Sequence, residues 1–319
     1  MKNEISGPIL VTGASGFIGA NLVRRLIKDG YDTHLILRNE SKTWRLDDIL
    51  EKVTVHRSDL TNYESVVDVV SKIKPKTIFH LAAYGAYSSQ KEVDRIKAVI
   101  LDGTINLLTA CETIGFESFI NTGSSSEYGF KQKPMKETDV LEPNSHYAVF
   151  KAAATNFCQY EAISKKLPII TLRPFSVYGP YEEPTRLVPT LITKFLKNDC
   201  PPLVAPETAR DYIYVDDVID LYLLAAKNSQ LGGEVLNMGT GEQITLKQIV
   251  DTAIELTGAK VEPQWGTMEQ RIWDQNIWQA DISKVKSMTG WQPKHDLTSG
   301  LSKTITWLKD NIDLYKIND

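Results

Sequence analysis

The chain has 319 residues, 42% hydrophobic and 24% charged, with a formal net charge of −4. That length and composition suit a large buried core in one big domain or two closely joined ones, and the modest acidic balance without a basic block does not suggest a nucleic-acid partner, so none is expected. Cys111, Cys158 and Cys200 lack metal-like spacing, no charged-then-apolar leader opens the sequence, and no apolar stretch could span a bilayer; free thiols, no metal, no membrane partner and a cytoplasmic location are the expectations. In chain order, strands are predicted at Ile9–Thr12, Thr33–Arg38, Val53–His56, Thr77–Leu81, Ser118–Thr122 and Ile169–Arg173. Helices are predicted at Phe17–Lys28, Tyr63–Lys72, Lys97–Ile114 and Tyr147–Lys165. Alternation at this spacing predicts an α/β fold, a doubly wound parallel sheet covered on both faces. After Arg173 the alternation stops, and Pro174, Pro180, Pro184, Pro189, Pro201, Pro202 and Pro206 punctuate a loop-rich region. Later helices are predicted at Asp216–Lys227, Thr245–Thr257 and Leu297–Asn311. The expected division is a dinucleotide-binding domain over 1–173 and a smaller, mixed lobe over 174–319. That lobe supplies a substrate lid, and some of its segments return to the first domain.

The first strand and helix are joined by Thr12-Gly13-Ala14-Ser15-Gly16-Phe17-Ile18-Gly19. Gly13 permits the tight turn, Gly16 lets the backbone approach a pyrophosphate, and Gly19 lets helix pack on strand. Ser15, Phe17 and Ile18 complete a helix start whose N–H groups face the phosphates. A packing-only role for the glycines is the competing reading, and the position in the first strand-turn-helix unit favours the cofactor. The end of the second strand reports on the ribose. An acid there would bind the 2′-hydroxyl of NAD, but the chain has Arg38, followed by Asn39, Ser41, Lys42 and Arg45. A guanidinium can take a 2′-phosphate bidentately, so NADP(H) is preferred. NAD(H), with Arg38 as a solvated charge, stays open. Asp59 and Leu60 are placed to cap the adenine, and Leu81, Ala82 and Ala83 put small side chains and backbone against the cofactor. Ordinary strand ends are the alternative for both.

Tyr147 and Lys151 are four apart, so they share a helix face. A nearby ammonium lowers a phenol's pKa and makes tyrosine a usable acid/base near neutrality. The fifth strand ends in Asn121-Thr122-Gly123-Ser124-Ser125-Ser126-Glu127-Tyr128-Gly129, on the side of an open sheet where ligands bind. A hydroxyl there can hold the oxygen that Tyr147 protonates; a plain serine turn is the alternative.

These motifs resemble those of the extended short-chain dehydrogenase/reductases that act on nucleotide sugars. The resemblance covers nearly the whole chain. It rests on the glycine turn, the Ser124 strand end and Tyr147-x-x-x-Lys151, and on Arg173-Pro174-Phe175-Ser176-Val177-Tyr178-Gly179-Pro180 and Arg210-Asp211-Tyr212-Ile213-Tyr214-Val215-Asp216-Asp217. Asn237-Met238-Gly239-Thr240-Gly241 and Gly290-Trp291-Gln292-Pro293 complete it. It implies a Rossmann-type sheet with a nucleotide-sugar lobe. Ser124 is then the catalytic hydroxyl, Tyr147 the acid/base, and Lys151 the residue that binds the ribose and tunes the tyrosine. Ser125 and Ser126 would face the sugar; Arg210 and Arg271, joined by Arg186, would hold the diphosphate. Family members commonly dimerise through a four-helix bundle, which Lys97–Ile114 and Tyr147–Lys165 could supply, so a homodimer is expected.

Three departures narrow the reaction the resemblance implies. The 4,6-dehydratases carry Asp-Glu directly after the catalytic Thr; here Ser125 and Ser126 stand there. Glu127 comes one place later, on the other side if the strand continues. The 4-epimerases retain NAD and commonly have an acid where Arg38 stands. Asn is usual at Ser176, which weakens a diphosphate contact there. Thr122-Gly123-Ser124-Ser125-Ser126-Glu127-Tyr128-Gly129, Tyr147-Ala148-Val149-Phe150-Lys151, and Arg38 with Ser41, Trp44, Arg45 and Leu46 resemble the CDP-abequose and CDP-paratose synthase branch. The expectation is NADPH-dependent reduction of the C4 ketone of a 4-keto-6-deoxy nucleotide sugar, in the making of deoxysugars for surface polysaccharides. A 4-epimerase with tightly bound NAD is the alternative, and a catalytically inactive cofactor-binding protein the alternative of another class. The nucleotide base (CDP, GDP, dTDP or UDP), the sugar and the product's C4 configuration stay open.

Overall fold

Apolar runs of four to six residues become strands, and stretches with apolar residues every third or fourth position become helices. The computed structural model describes residues 4–87, 89–269 and 277–318. In chain order it contains β1 (Ile9–Thr12), α1 (Phe17–Lys28), β2 (Thr33–Leu37), β3 (Thr54–Arg57), α2 (Tyr63–Ile73), β4 (Thr77–His80), α3 (Val93–Lys97), α4 (Gly103–Ile114), β5 (Ser118–Thr122), α5 (His146–Lys165) and β6 (Ile169–Pro174). Then come β7 (Ser176–Tyr178), α6 (Leu187–Phe195), β8 (Ala209–Arg210), β9 (Tyr212–Tyr214), α7 (Val215–Ala226), β10 (Val235–Met238), β11 (Ile244–Thr245), α8 (Leu246–Thr257), α9 (Ser283–Thr289) and α10 (Leu297–Asp310). The chain divides into two units: Met1–Gly129 with Glu137–Pro174 and Ile219–Asn237, and Phe130–Lys136 with Phe175–Val218 and Met238–Asp319.

The first unit holds a seven-stranded sheet in the order β10-β6-β5-β4-β1-β2-β3. Its neighbours from β3 to β6 pair in parallel; Ile9, for example, lies between Thr33 and Thr77. This is the expected doubly wound, Rossmann-type sheet. The strand order reverses at β1, between β2 and β4, which opens the crevice where such sheets bind ligands. Helices cover it by their apolar faces. α1 buries Ala20, Leu22, Val23 and Leu26, and α2 buries Val66, Val69, Val70 and Ile73 against Leu107, Leu108 and Cys111 of α4. Asn62 starts α2 by accepting from the Ser65 amide, and Ser145 starts α5 by accepting from the Ala148 amide.

Two differences from the predicted elements have clear causes. The helix expected at Lys97–Ile114 begins at Val93 and passes through a π turn at Ala98–Asp102. There the Thr104 hydroxyl donates to the Ile100 carbonyl at 2.5 Å, within that loosened turn. The sheet also gains β10; just ahead of it, the Glu234 carbonyl accepts from the Thr171 amide at 3.0 Å.

In the second unit β7 pairs in parallel with β9, and β8 antiparallel with β11. α6, α8 and α10 pack on one another. α6 lies in the region expected to be loop. Its Pro189 is the third helical residue, where a missing N–H leaves no intrahelical bond unmade. Asp211 organises the unit's loops. Its buried carboxylate accepts from the amides of Thr240, Gly241 and Ala280 and from the Thr240 hydroxyl.

Candidate active site

The turn after β1 is built so that only glycine fits. Gly13 has φ +71°, and a Cβ there would lie 2.5 Å from the Leu81 carbonyl carbon and 2.6 Å from the Ala82 amide nitrogen. A Cβ on Gly19 would collide with the Gly13 carbonyl oxygen, so α1 can seat on the turn only through glycine. Gly16 is exposed and begins α1 with no side-chain cap, and the first turn carries no acid. The amides of Phe17, Ile18 and Gly19 thus form a helix N-terminus suited to an anion. This cradle fits the pyrophosphate of a dinucleotide.

Around the cradle the candidate residues separate. Leu81 and Ala82 are half-buried beside Gly13, and Ala83 is exposed. Arg38 ion-pairs with Glu40 at 3.3 Å. Arg45 is buried, stacks 4.2 Å over Trp44 and donates to the Ser15 carbonyl at 3.3 Å. Arg45, not Arg38, therefore reaches the glycine turn. One oxygen of Asp59 accepts from the amide and the hydroxyl of Thr61, both at 2.9 Å, and Leu60 is buried in the core.

Beneath the turn, His80 links two hydroxyls. Thr104 gives its proton to Ile100, so its oxygen accepts from His80 Nε2 at 2.9 Å. His80 Nδ1 then accepts from the Thr12 hydroxyl at 2.7 Å, and Thr12 accepts from the Ala82 amide at 3.4 Å. The imidazole is neutral, its pKa drawn down to about 3 by burial first and by the Lys151 ammonium second.

At the end of β5 the chain does not continue as strand. Ser125–Tyr128 form one tight helical turn capped by Ser124. Ser124 Oγ accepts from the Ser126 amide at 3.1 Å, and the Ser124 amide donates to Glu127 Oε1 at 2.7 Å. Ser125 is buried and Ser126 half-buried. Glu127 is 0% exposed and turns inward, bonded to Thr155 at 3.0 Å and to Arg173 at 2.8 Å. The capping turn, not strand alternation, is what directs it there. Arg173 also donates to the Tyr128 hydroxyl at 3.0 Å, which donates to Asn237 Oδ1 at 2.7 Å.

Lys151 is buried and donates to the Thr122 carbonyl at 2.7 Å. Burial lowers its pKa to about 8, and the Glu127 carboxylate opposes the fall. Tyr147, one turn earlier on α5, packs half-buried against Ile96, Ile100 and Ala154. Thr122 shares a hydrogen bond of 2.7 Å with Tyr222, whose phenol is raised by burial first and further by neighbouring Tyr147. Ser124, Tyr147 and Lys151 are thus gathered around the carboxyl end of β5. A hydroxyl, a phenol and a desolvated ammonium can hold an oxygen and move its proton. A cavity of about 580 Å³, lined by Glu117, Lys166, Pro168 and Gln230 among others, lies at the opposite ends of β5 and β6 and holds none of the candidate residues.

In the second unit, Ser176 lies on β7 and its amide donates to the Asp211 carbonyl at 2.9 Å. Arg186 is exposed ahead of α6. Arg210 on β8 places its guanidinium 5.2 Å over the Trp278 ring. Arg271 lies outside the described residues. Among the described residues no group of three or more His, Cys, Asp or Glu could hold a metal, and no helix is long and apolar enough to cross a membrane.

Sequence reasoning missed the Glu127–Arg173 pair and the His80 relay. The first had a signal, since an arginine inside an apolar strand requires a buried acid. The second depends on hydroxyls far apart in sequence and had none.

The model of the NAD dependent epimerase/dehydratase family matches residues 9–239. UDP-glucuronate 4-epimerase of Thermodesulfobacterium geofontis is 29% identical, over 97% of this chain and 98% of the relative. Crystal structures agree. Thermotoga maritima UDP-glucose 4-epimerase, solved with UDP-glucose, is 28% identical with a TM-score of 0.85, covering 95% of this chain and 99% of that one. Bacillus cereus UDP-glucuronic acid 4-epimerase, solved with UDP-glucuronic acid and NAD, is 27% identical with a TM-score of 0.84, covering 95% and 99%.

Proposed function

The chain belongs to the NAD dependent epimerase/dehydratase family, and on that premise we propose that it inverts C4 of a UDP-linked hexose or hexuronate. The reading rests on one coincidence. The likeness to UDP-sugar 4-epimerases falls on a chain that has Ser124 just after β5, Lys151 bonded to the Thr122 carbonyl of β5, and Tyr147 one turn from Lys151 on α5. The chain is an NAD-dependent oxidoreductase-type enzyme of the extended short-chain class, and its glycine cradle fits that cofactor.

A dinucleotide held there would supply a hydride acceptor for C4 and the means of returning that hydride to the opposite face of the sugar. Tyr147 accepts the C4 hydroxyl proton as the ketone forms and gives it back when the alcohol is restored. Ser124 hydrogen-bonds the same oxygen, and Lys151 stabilises the phenolate. Gly13, Ser15, Gly16, Phe17, Ile18 and Gly19 hold the pyrophosphate, with Leu81, Ala82 and Ala83 beside them. Ser125 and Ser126 contact the sugar, where a dehydratase's Asp-Glu pair would stand. Arg210, with Arg271 and Arg186, takes the diphosphate. The two domains expected, 1–173 for cofactor and 174–319 for substrate, express this division of labour. A homodimer is part of the reading, supported by Val149, Tyr160 and Ile163 exposed along α5; a cytoplasmic location is proposed with it.

A second reading, reduction of a 4-keto-6-deoxy nucleotide sugar by NADPH, is favoured by one observation. Arg38 and Arg45 follow β2, Glu40 is paired with Arg38, and Arg45 reaches the glycine turn. The deciding experiment incubates the enzyme with UDP-glucose and UDP-glucuronate and quantifies C4 epimers by NMR. In parallel, NADPH and NADH consumption is followed with 4-keto-6-deoxy sugars on CDP, GDP, dTDP and UDP. Epimer formation without net redox is the expected result. Stoichiometric NADPH oxidation instead installs the second reading, and the absence of both products overturns both readings.

A further inference from the structure

Glu127 has no role in moving protons to or from a sugar, yet its carboxylate is fully committed. Oε1 accepts from the Ser124 amide at 2.7 Å and the Thr155 hydroxyl at 3.0 Å; Oε2 accepts from Arg173 Nε at 2.8 Å. The three partners belong to three elements: the turn after β5, α5, and β6. Thr155 lies one helical turn beyond Lys151 and two beyond Tyr147. One carboxylate therefore joins the backbone that presents Ser124 to the helix that presents Tyr147 and Lys151.

The surroundings are built around this joint. A Cβ on Gly123 would lie 2.6 Å from Glu127 Oε1, so the approach is open only to glycine. Arg173 is 3% exposed and anchored by Tyr128. Ser124 is held extended, at φ −162° and ψ 143°. An apolar pair of similar volume would often serve stability as well as a buried ion pair does. What apolar groups cannot supply is a fixed acceptor that orients an amide and a helix together.

Resting on the roles given above to Ser124, Tyr147 and Lys151, we propose that Glu127 is a positioning residue. Through Thr155 it sets the separation between the Ser124 hydroxyl and the Tyr147–Lys151 face of α5. Reacting groups must be held to within a fraction of an ångström, so loosening this joint slows chemistry without weakening binding. The charged and titratable groups acting on Lys151 are Glu127 from the turn and Cys158 on α5, while His80 on β4 feels the Lys151 charge in turn.

The test uses Thr155→Val, which keeps shape and leaves the ion pair intact, and Thr155→Ser, which restores the hydroxyl. We expect Thr155→Val to lower kcat about five- to tenfold with KM within about twofold, and Thr155→Ser to recover most of it. Full kcat in a folded Thr155→Val protein overturns the proposal, as does a loss that Thr155→Ser fails to restore. A second measurement needs no substrate. The phenolate titration of Tyr147, taken as the ultraviolet difference between each protein and its Tyr147→Phe counterpart, should stay unshifted in Thr155→Val, because Tyr147 and Lys151 ride on one helix and only their separation from Ser124 changes. A shifted titration places the loss in the Tyr147–Lys151 pair itself and overturns the positioning role. A wild-type enzyme inactive on every nucleotide sugar overturns the proposed function instead and leaves this readout in place. Should Thr155→Val fail to fold, Thr155→Ala replaces it, with the same loss of kcat at unchanged KM expected; full kcat in that folded protein overturns the proposal.

Discussion

Lys151 donates to the carbonyl oxygen of Thr122 at 2.7 Å, so the helix carrying the ammonium is fastened to the strand that ends at Ser124. Burial lowers Lys151 to about 8, against the pull of Glu127. The ammonium that supports a Tyr147 phenolate is therefore lost as pH rises through 8. Turnover is expected to fall along an alkaline limb near that value. Stability moves the other way at this site. The unfolded lysine keeps its proton to its ordinary value of 10.5, so the unfolded chain binds more protons between 8 and 10.5 and the site's contribution to stability grows there. A kcat/KM profile that stays flat to pH 10 would sink the assignment.

Tyr147 stands one turn from Lys151 and packs, half-buried, against the core residues Ile96 and Ile100. Removing its hydroxyl leaves those contacts in place. Tyr147→Phe is expected to fold and bind dinucleotide as the wild type does, while kcat falls by roughly 10²- to 10⁴-fold. Ser124→Ala should cost on the order of 10- to 10³-fold, because it removes one hydrogen bond to the reacting oxygen. Calorimetric titration with NAD beside the rate assay separates lost binding from lost chemistry.

Much of the first unit was readable because parallel strands buried on both faces are short continuous apolar runs. Ile9–Thr12 and Ser118–Thr122 fall where predicted, and the glycine turn between β1 and α1 has the backbone its sequence implies. What went unread had physical causes. Val235–Met238 is a strand only because β6 offers it an edge. The helix at Leu187–Phe195 hid among prolines whose first-turn position does not break it. Ser124-x-x-Glu127 is a capping box, the signature of a helical start, yet its place after a strand made the strand the natural reading.

Gly13 and Gly30 both have positive φ, at +71° and +79°, and differ in what surrounds them. A Cβ on Gly13 meets the backbone of Leu81 and Ala82, whereas one on Gly30 meets nothing within 4 Å. Gly30→Ala should cost only the conformational strain, about 1 kcal/mol. Gly13→Ala adds a clash with rigid backbone beside the phosphate cradle, and should cost roughly 3 kcal/mol and abolish dinucleotide binding. Urea midpoints and NAD calorimetry on the two variants check both parts. Equal losses in stability would mean that the turn yields more easily than its geometry indicates.

His80 offers the sharpest pH signature in stability. Its Nε2 proton goes to Thr104 and its Nδ1 lone pair receives the Thr12 proton, so the folded protein requires the neutral ring. A protonated imidazole would turn an Nδ1 donor toward the Thr12 hydroxyl that now donates to it. Burial first, and the Lys151 ammonium second, hold the pKa at about 3 against an ordinary 6.5. A depressed folded value means that the contribution is complete above 6.5 and lost as pH falls toward 3, because the unfolded chain takes up the proton first. At pH 5 the loss from this residue is about 2 kcal/mol. His80→Asn cannot titrate. It should be less stable than wild type at pH 7, since the Thr12–Thr104 link is broken, yet lose about 2 kcal/mol less than wild type between pH 7 and pH 5. Urea denaturation of both proteins at the two pH values gives the difference directly. Parallel losses would show that the folded protein tolerates the charged ring.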